Sequence, residues 1–199
     1  MSVAVIKYDA VMGRWEPNAR GRLEDAALDL YVQRGFDQTT VVEIARRAGL
    51  AERTFFRHFA DKREVLFGGA GTLEDLLVGA VAEAPSTLTP IDAAGAGLET
   101  AGALLQERRA FAQRRQAVIA ANPDLQEREL IKLAHLSVAL AGALRGRGAG
   151  DVAASLAAEA AMAAFRIAFQ RWVAEPGRQD LPQLIRESLD ELKAVTAGR

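Results

Sequence analysis

The chain contains no cysteine, which removes disulfides, thiolate nucleophiles and cysteine-ligated zinc in one step. Histidine is nearly as scarce. His58 and His135 are the only two, too few and too far apart for a metal cluster. Aromatic residues make up 6% of the 199 residues, and runs of β-branched residues are short, so helix is favoured over sheet. No window approaches 18 unbroken apolar residues, so no transmembrane span is expected. The opening MSVAVIKYDAVMGRWEP has no sustained apolar stretch followed by small residues and does not read as a signal peptide. A cytoplasmic protein is expected. No Gly-rich phosphate loop follows a strand and no paired-carboxylate motif is recognisable, so nothing nominates a catalytic site, a cofactor or a metal.

What the chain has is apolar bulk, with 50% of residues hydrophobic and much alanine, enough to bury a sizeable core. The net charge is −1, but its distribution is uneven. Between Thr40 and Arg63, six cations (Arg46, Arg47, Arg53, Arg57, Lys62, Arg63) face three anions. From Gly68 onward, 14 basic residues face 16 acidic ones. Phosphate contacts depend on local charge more than on the total.

Helical periodicity predicts about nine helices. Residues 19–35 form the first, with Leu23, Ala26, Ala27, Leu30 and Tyr31 on one face, Gly35 as its stop and Phe36 turned back into a small core. Within TTVVEIARRAGLAERTFFRHFADKR, Val42, Ile44, Ala45 and Ala48 define a short amphipathic helix stopped by Gly49. Glu52 to Phe59 make the next, with Phe55 and Phe59 on the packed face and Arg53, Phe56 and Arg57 round the other side. A further helix begins near Asp61-Lys62 and runs to Ala84, with a possible break at Gly68, Gly69 and Gly71. After a loop between Pro85 and Pro90 come helices over 91–107, 108–121, 123–145, 151–174 and 180–196. The whole is all-α: an N-terminal arm over 1–18, a three-helix helix-turn-helix domain over 19–66, and a helical bundle over 67–199.

Two short helices around a glycine turn, with cations on the second, are the layout of a helix-turn-helix whose second helix enters the DNA major groove. The segment resembles the DNA-binding motif of the TetR family of bacterial transcriptional regulators. Arg53 and Arg57 share a face, and either suits bidentate contact with guanine. Thr39 or Thr40 suits capping or phosphate contact. The resemblance adds Thr54 and Phe56 as contacts and Lys62 at a phosphate-contact position. His58 is either a phosphate donor or a packing residue. Arg20 and Arg22, with Arg14 before them, belong either to a basic arm on adjacent DNA or to a solvated tail. Three residues depart from the family pattern: Ala51 stands where a capping serine is usual, Phe56 where a tyrosine is common, and Arg53 where glycine is frequent.

The resemblance implies that the bundle senses a small molecule and dimerises, so that two recognition helices span a palindromic double-stranded operator. Phe169, Trp172, Leu181, Ile185 and Leu192 are candidates for the dimer interface, unless they close the monomer's own core. Arg108-Arg109 and Arg114-Arg115 stand beside Phe111, Val118 and Ile119. Similarity to actinobacterial-type members with ERTFF recognition helices suggests acyl-coenzyme A or another lipophilic anion as effector, with Phe111, Arg115, Leu136 and Phe165 as candidate pocket residues. An exposed basic face is the alternative. The function expected is a repressor released from its operator by a small lipophilic effector. The alternative is a helical interaction module that has lost operator recognition.

Overall fold

The computed structural model describes residues 18–174, 177 and 179–198. Arg14 and nearly all of the expected arm lie outside them. Among the described residues every regular element is helical: α1 (Ala19–Arg34), α2 (Val41–Arg47), α3 (Glu52–His58), a 3-10 turn (Glu64–Phe67), α4 (Ala70–Glu83), α5 (Pro90–Glu107), α6 (Arg109–Ala120), α7 (Pro123–Gly146), α8 (Asp151–Ala174) and α9 (Leu181–Thr196).

Local chemistry sets these boundaries. The Asn18 side chain accepts from the Gly21 N–H at the start of α1. Gly35 ends that helix at φ 90°, a left-handed value that glycine adopts without steric cost. Thr40 and Glu43 form a reciprocal capping box on α2, satisfying two otherwise orphaned donors. Thr89 caps α5 and Asp180 caps α9, each followed by a proline in the first turn, where its missing N–H removes no helical bond.

The expected helix from Asp61-Lys62 to Ala84 is interrupted. Asp61 folds its carboxylate over the Arg63 and Glu64 N–H groups at 2.8 and 3.0 Å, closing the chain into the 3-10 turn. The Gly68-Gly69 pair then separates that turn from α4. Gly68 has a specific steric reason to stay glycine. A Cβ there would sit 2.7 Å from Glu24 Oε1 and 2.8 Å from the Phe59 ring.

Two apolar cores result. One gathers Leu23, Ala27, Leu28, Tyr31, Phe36, Ile44, Phe55, Phe59 and Val65–Phe67, and is completed by Val118, Ile119 and Leu125 from α6 and α7. The start of the bundle thus supplies one wall of the small-domain core. The other core is the bundle proper, from Leu77 to Leu189. There α5 is the central helix, packed against α4, α8 and α9. It approaches closely because it carries glycine at the contacts: a Cβ on Gly97 would meet Val81 at 2.6 Å, and one on Gly102 would meet Ile185 at 2.8 Å. α8 lines the same core with Ala154, Ala158, Ala161 and Ala168.

By length and mean hydropathy, Glu64–Glu83 and α8 each match a membrane span. The first is broken by the glycine pair, and both pack against α5 and α7, as core helices do.

Trp172, Leu181 and Ile185, expected at a dimer interface, are fully buried in the monomer core, with Phe169 and Leu192 packed against it. This is a correction with a plain cause. The Trp172 indole N–H donates to Gln106 Oε1 at 2.7 Å, and the same oxygen accepts from the Leu181 N–H at 3.0 Å. The stripe thus faces α5. Gly97→Val should destabilise the protein by about 2–3 kcal/mol through overpacking, read as a lower urea midpoint with an unchanged m-value; unchanged stability would show that α4 and α5 are not in close contact.

Candidate nucleic-acid interface

The surface built by α2 and α3 begins with a register correction. Val41, Ile44, Ala45 and Ala48 form the packed face of α2, whereas Val42 is exposed. Spacing of three and four from Val41 places all of these on one side, and Val42 lies roughly 100° round from it. The outward face therefore carries Val42 and Arg46, four apart. Arg46 is exposed and absent from the residues expected to contact DNA, although the same periodicity identifies it.

Gly49 turns the chain at φ 68°, and a Cβ there would fall 2.8 Å from Arg22 Nη2. That guanidinium donates to the Ala48 carbonyl, so Arg22 fastens α1 to the end of α2. α3 starts at Ala51 with no side-chain cap. Phe55 and Phe59 anchor it, both buried, with their rings 5.6 Å apart.

The ten expected DNA contacts fall into two groups. Arg53, Phe56 and Arg57 are exposed on α3, with Thr54 half-buried beside them. Among the described residues, no carboxylate pairs with Arg46, Arg53 or Arg57. Phe56 is 54% exposed, its ring edge-on to that of Phe55 at 5.5 Å between centres.

The second group is engaged within the protein. Lys62 is the clearest case: its Nζ donates to the carbonyls of Phe36, Asp37 and Thr39 at 2.9, 3.3 and 3.1 Å and lies 4.4 Å from the centre of the Phe36 ring. Its own carbonyl accepts from the Tyr31 hydroxyl at 2.6 Å. Burial raises the Tyr31 phenol far above its ordinary pKa, so it stays a donor. Lys62 precedes the 3-10 turn and belongs to no helix; it is a clasp on the α1–α2 loop. Thr39 is buried and donates to the Gly35 carbonyl at 2.9 Å, leaving Thr40 as the exposed cap. Arg20 pairs with Glu24 and lies over the Phe59 ring. His58 has a buried Nε2 without a partner. Burial first, then the nearby Arg57 and Arg20 charges, hold its pKa below the usual histidine value. It is neutral at physiological pH and adds no charge to the face.

The four residues expected to form an effector pocket do not come together. Phe111 packs beside the small-domain core, while Leu136 and Phe165 lie in the bundle core. Arg115 donates to the Leu66 carbonyl at 2.7 Å and to Glu129 at 2.9 Å, and lies over the Phe67 ring. Its neighbours are similarly engaged: Arg109 with the Trp172 and Gln179 carbonyls, Arg114 with Asp29, and Arg108 with Glu24. Burial lowers the Arg115 pKa, opposed by Glu129. The basic pairs that sequence offered as ligand anchors are structural ties on α6.

Two outcomes follow. Lys62→Met should destabilise the protein by about 1.5–3 kcal/mol, the scale of a charge-assisted hydrogen-bond set, measured by chemical denaturation without DNA; unchanged stability would return Lys62 to the surface. Ala51→Ser should stabilise it by about 1 kcal/mol, because Ala51 already has the extended cap conformation, φ −77° and ψ 148°. The readout is a higher melting temperature.

Comparisons with known proteins agree with this architecture. Residues 23–67 match the family described as "Bacterial regulatory proteins, tetR family", and residues 88–197 match "MftR C-terminal domain". One relative is the putative mycofactocin biosynthesis transcriptional regulator MftR of Mycobacterium tuberculosis, 29% identical over 119 residues, which span 60% of this chain and 60% of that protein. Another is the HTH-type transcriptional regulator TcmR of Streptomyces glaucescens, 35% identical over 74 residues, or 37% of this chain and 33% of the relative. The match thus spans less than two thirds of either relative. Among solved structures, the fatty acid degradation regulator FadR of Bacillus halodurans superposes with a TM-score of 0.63 at 19% identity, covering 89% of this chain and 95% of that one. SmeT, the multidrug efflux pump repressor of Stenotrophomonas maltophilia, superposes with a TM-score of 0.59 at 20% identity, over 88% and 89% of the two chains. At that identity these two show the fold. With the second of the two matched families covering more than half of its length, the chain belongs to the TetR family of bacterial transcriptional regulators, with an MftR-type C-terminal domain.

Proposed function

We propose that this protein is a DNA-binding transcriptional repressor of the bacterial cytoplasm. In this reading it acts as a homodimer on a palindromic operator and is released by a small lipophilic effector. The observation that carries the reading is the outward face of α3, where Arg53 and Arg57 are exposed with no carboxylate partner among the described residues. Leaving cations unpaired on one face gives a protein little stability, but it suits contact with phosphate and with guanine edges. Arg46 and Thr40 extend the same face; Thr54 and Phe56 complete its centre. Phe56 has no hydroxyl for phosphate, so its contact is apolar, to a thymine methyl or a sugar. MftR and TcmR are both named as transcriptional regulators, which supports the same class of activity.

For the effector, support is coarser. A solved neighbour of this fold is a complex of SmeT with triclosan, a small lipophilic molecule. An acyl-coenzyme A-like ligand has narrower support, because Arg108, Arg109, Arg114 and Arg115 are all tied to backbone carbonyls or carboxylates. Arg108 alone of the four also lines a described cleft, of about 490 Å³, together with Arg20, Glu24, Asp25, Glu107 and Phe111. Its three carboxylates outnumber its two guanidiniums, so it does not favour an anion.

The test is selection of bound fragments from genomic DNA, followed by mobility-shift titration over a range of salt. Arg57→Ala and Arg53→Ala should each weaken specific binding. An arginine that reads a base relaxes specificity at its position, at about 1–3 kcal/mol, whereas one on phosphate lowers the salt slope by about one. Failure of the folded wild-type protein to select any sequence would favour the interaction-module reading instead.

A further inference from the structure

Two bulky apolar side chains stand on the outward surface of the helix-turn-helix: Val42 on α2 and Phe56 on α3, each more than half exposed. A lone exposed apolar residue is ordinary on a protein surface, but these two are set among cations. Arg46 follows Val42 by four residues, and Arg53 and Arg57 stand on either side of Phe56 in the sequence, so each apolar group lies within a helical turn of a guanidinium. Phe56 is also the one exposed aromatic among the described residues. Neither side chain is loose. The Phe56 ring is edge-on to the buried Phe55 ring, 5.5 Å between centres, and a helical valine keeps essentially one χ1 rotamer. The acids leave this surface positive. Glu43 is turned to the Thr40 cap and to Arg34, and α3 carries a single carboxylate, Glu52.

We propose that Val42 and Phe56 read the C5-methyl groups of pyrimidines, so that each operator half-site presents one thymine to each of them, beside the guanines suited to Arg53 and Arg57. The inference rests on the reading of this face as DNA-binding and specifies what the face recognises. Neither side chain has a hydrogen-bonding group, so neither can bond to phosphate or to the donors and acceptors of a base edge. The apolar feature that base edges offer in the major groove is the thymine methyl. It stands at the margin of the groove, close to the backbone of its own strand. A first helix that crosses the backbone can reach it there, as can a recognition helix lying within the groove. Those are the places of Val42, in the first turn of α2, and of Phe56, within α3. A protein partner fits this surface less well, because the cores of protein–protein interfaces are depleted in charge, and here both apolar groups border arginines. Stiff groups in fixed positions suit a methyl in a fixed position, since little rotamer freedom is lost on contact.

The test uses the full-length protein and the duplex it selects most tightly from genomic DNA, with each thymine replaced in turn by deoxyuridine, which removes only the methyl. Wild type should lose about fourfold in affinity at two thymines of each half-site and little elsewhere. Val42→Ala should be indifferent to uracil at one of the two positions and Phe56→Ala at the other, each with an unchanged circular dichroism spectrum and an unchanged salt slope. Where a cytosine–guanine pair is placed at either position, 5-methylcytosine should bind about fourfold tighter than cytosine, because the methyl rather than the thymine is read. The uracil scan needs no variant, so it decides even if a variant fails to fold. Specific binding that no uracil weakens, as a sugar contact would give, overturns the methyl reading and leaves the DNA-binding reading intact. So do uracil losses that persist undiminished in both variants. Failure to select any duplex overturns both readings.

Discussion

The placement of the recognition helix depends on the arginine side chains of α6. Arg108 reaches Glu24 at 3.0 Å, Arg114 reaches Asp29 at 2.5 Å, and Arg115 reaches the Leu66 carbonyl at 2.7 Å. All three cross from the bundle to α1 or to the turn that follows α3. Their weights differ. The Glu24 side chain is 9% exposed and is also held by Arg20, and a buried carboxylate stripped of its partners costs several kcal/mol. Asp29 is 34% exposed, and pairs of that kind contribute at most about 1 kcal/mol. Asp29 instead fixes direction: it joins α1 to Arg47 at the end of α2 as well as to α6. Its hydrogen bond from Arg114 is the largest influence holding its pKa below the ordinary value. Glu64, paired with Arg128 and Lys132 of α7, adds a tie outside α6.

These ties fix how the bundle sits against the small-domain core. Apolar burial brings Val118, Ile119 and Leu125 into the small-domain core, but such contact is non-directional and leaves rotation poorly defined. The arginine hydrogen bonds are directional, and three spaced along one helix define an orientation. The same guanidiniums cannot also serve as ligand anchors without releasing the small domain.

Much of the fold was legible because periodicity reports directly on burial. Leu23, Ala27, Leu30, Tyr31, Phe36, Phe55 and Phe59 are buried as the sequence predicts, and the turn glycines at 35 and 49 have positive φ. Where two apolar residues are adjacent, as at Val41-Val42, spacing alone chose the wrong one for the core. Long polar side chains were less legible. The destinations of Lys62 and Arg115 depend on which carbonyls the folded chain brings within reach, from residues 23 to 26 and 49 positions away. For α8 both sides carry apolar residues, so a stripe could be found on either. Spacing alone did not say which stripe faces the core, because Trp172 suits either side until Gln106 is placed beside it.

The break at Gly68-Gly69 shapes any route from the bundle to the DNA. A continuous helix from Lys62 into the bundle would have acted as a rigid lever, but the 3-10 turn and the glycine pair disconnect α4 from the helix-turn-helix. The stiff path runs through α6. At one side Arg109 and Gln113 donate to the Trp172 and Val173 carbonyls near the end of α8, at 2.7 and 3.2 Å; at the other the arginines hold α1. α6 therefore lies between the C-terminal end of α8 and the small domain. A ligand shifts the separation of two recognition helices only if it binds the two positions of α6 with different affinity. Discrimination of tenfold corresponds to about 1.4 kcal/mol, comparable to a single charge-assisted hydrogen bond. A displacement of α6 that lengthens one arginine tie is therefore of the right size to couple effector to operator.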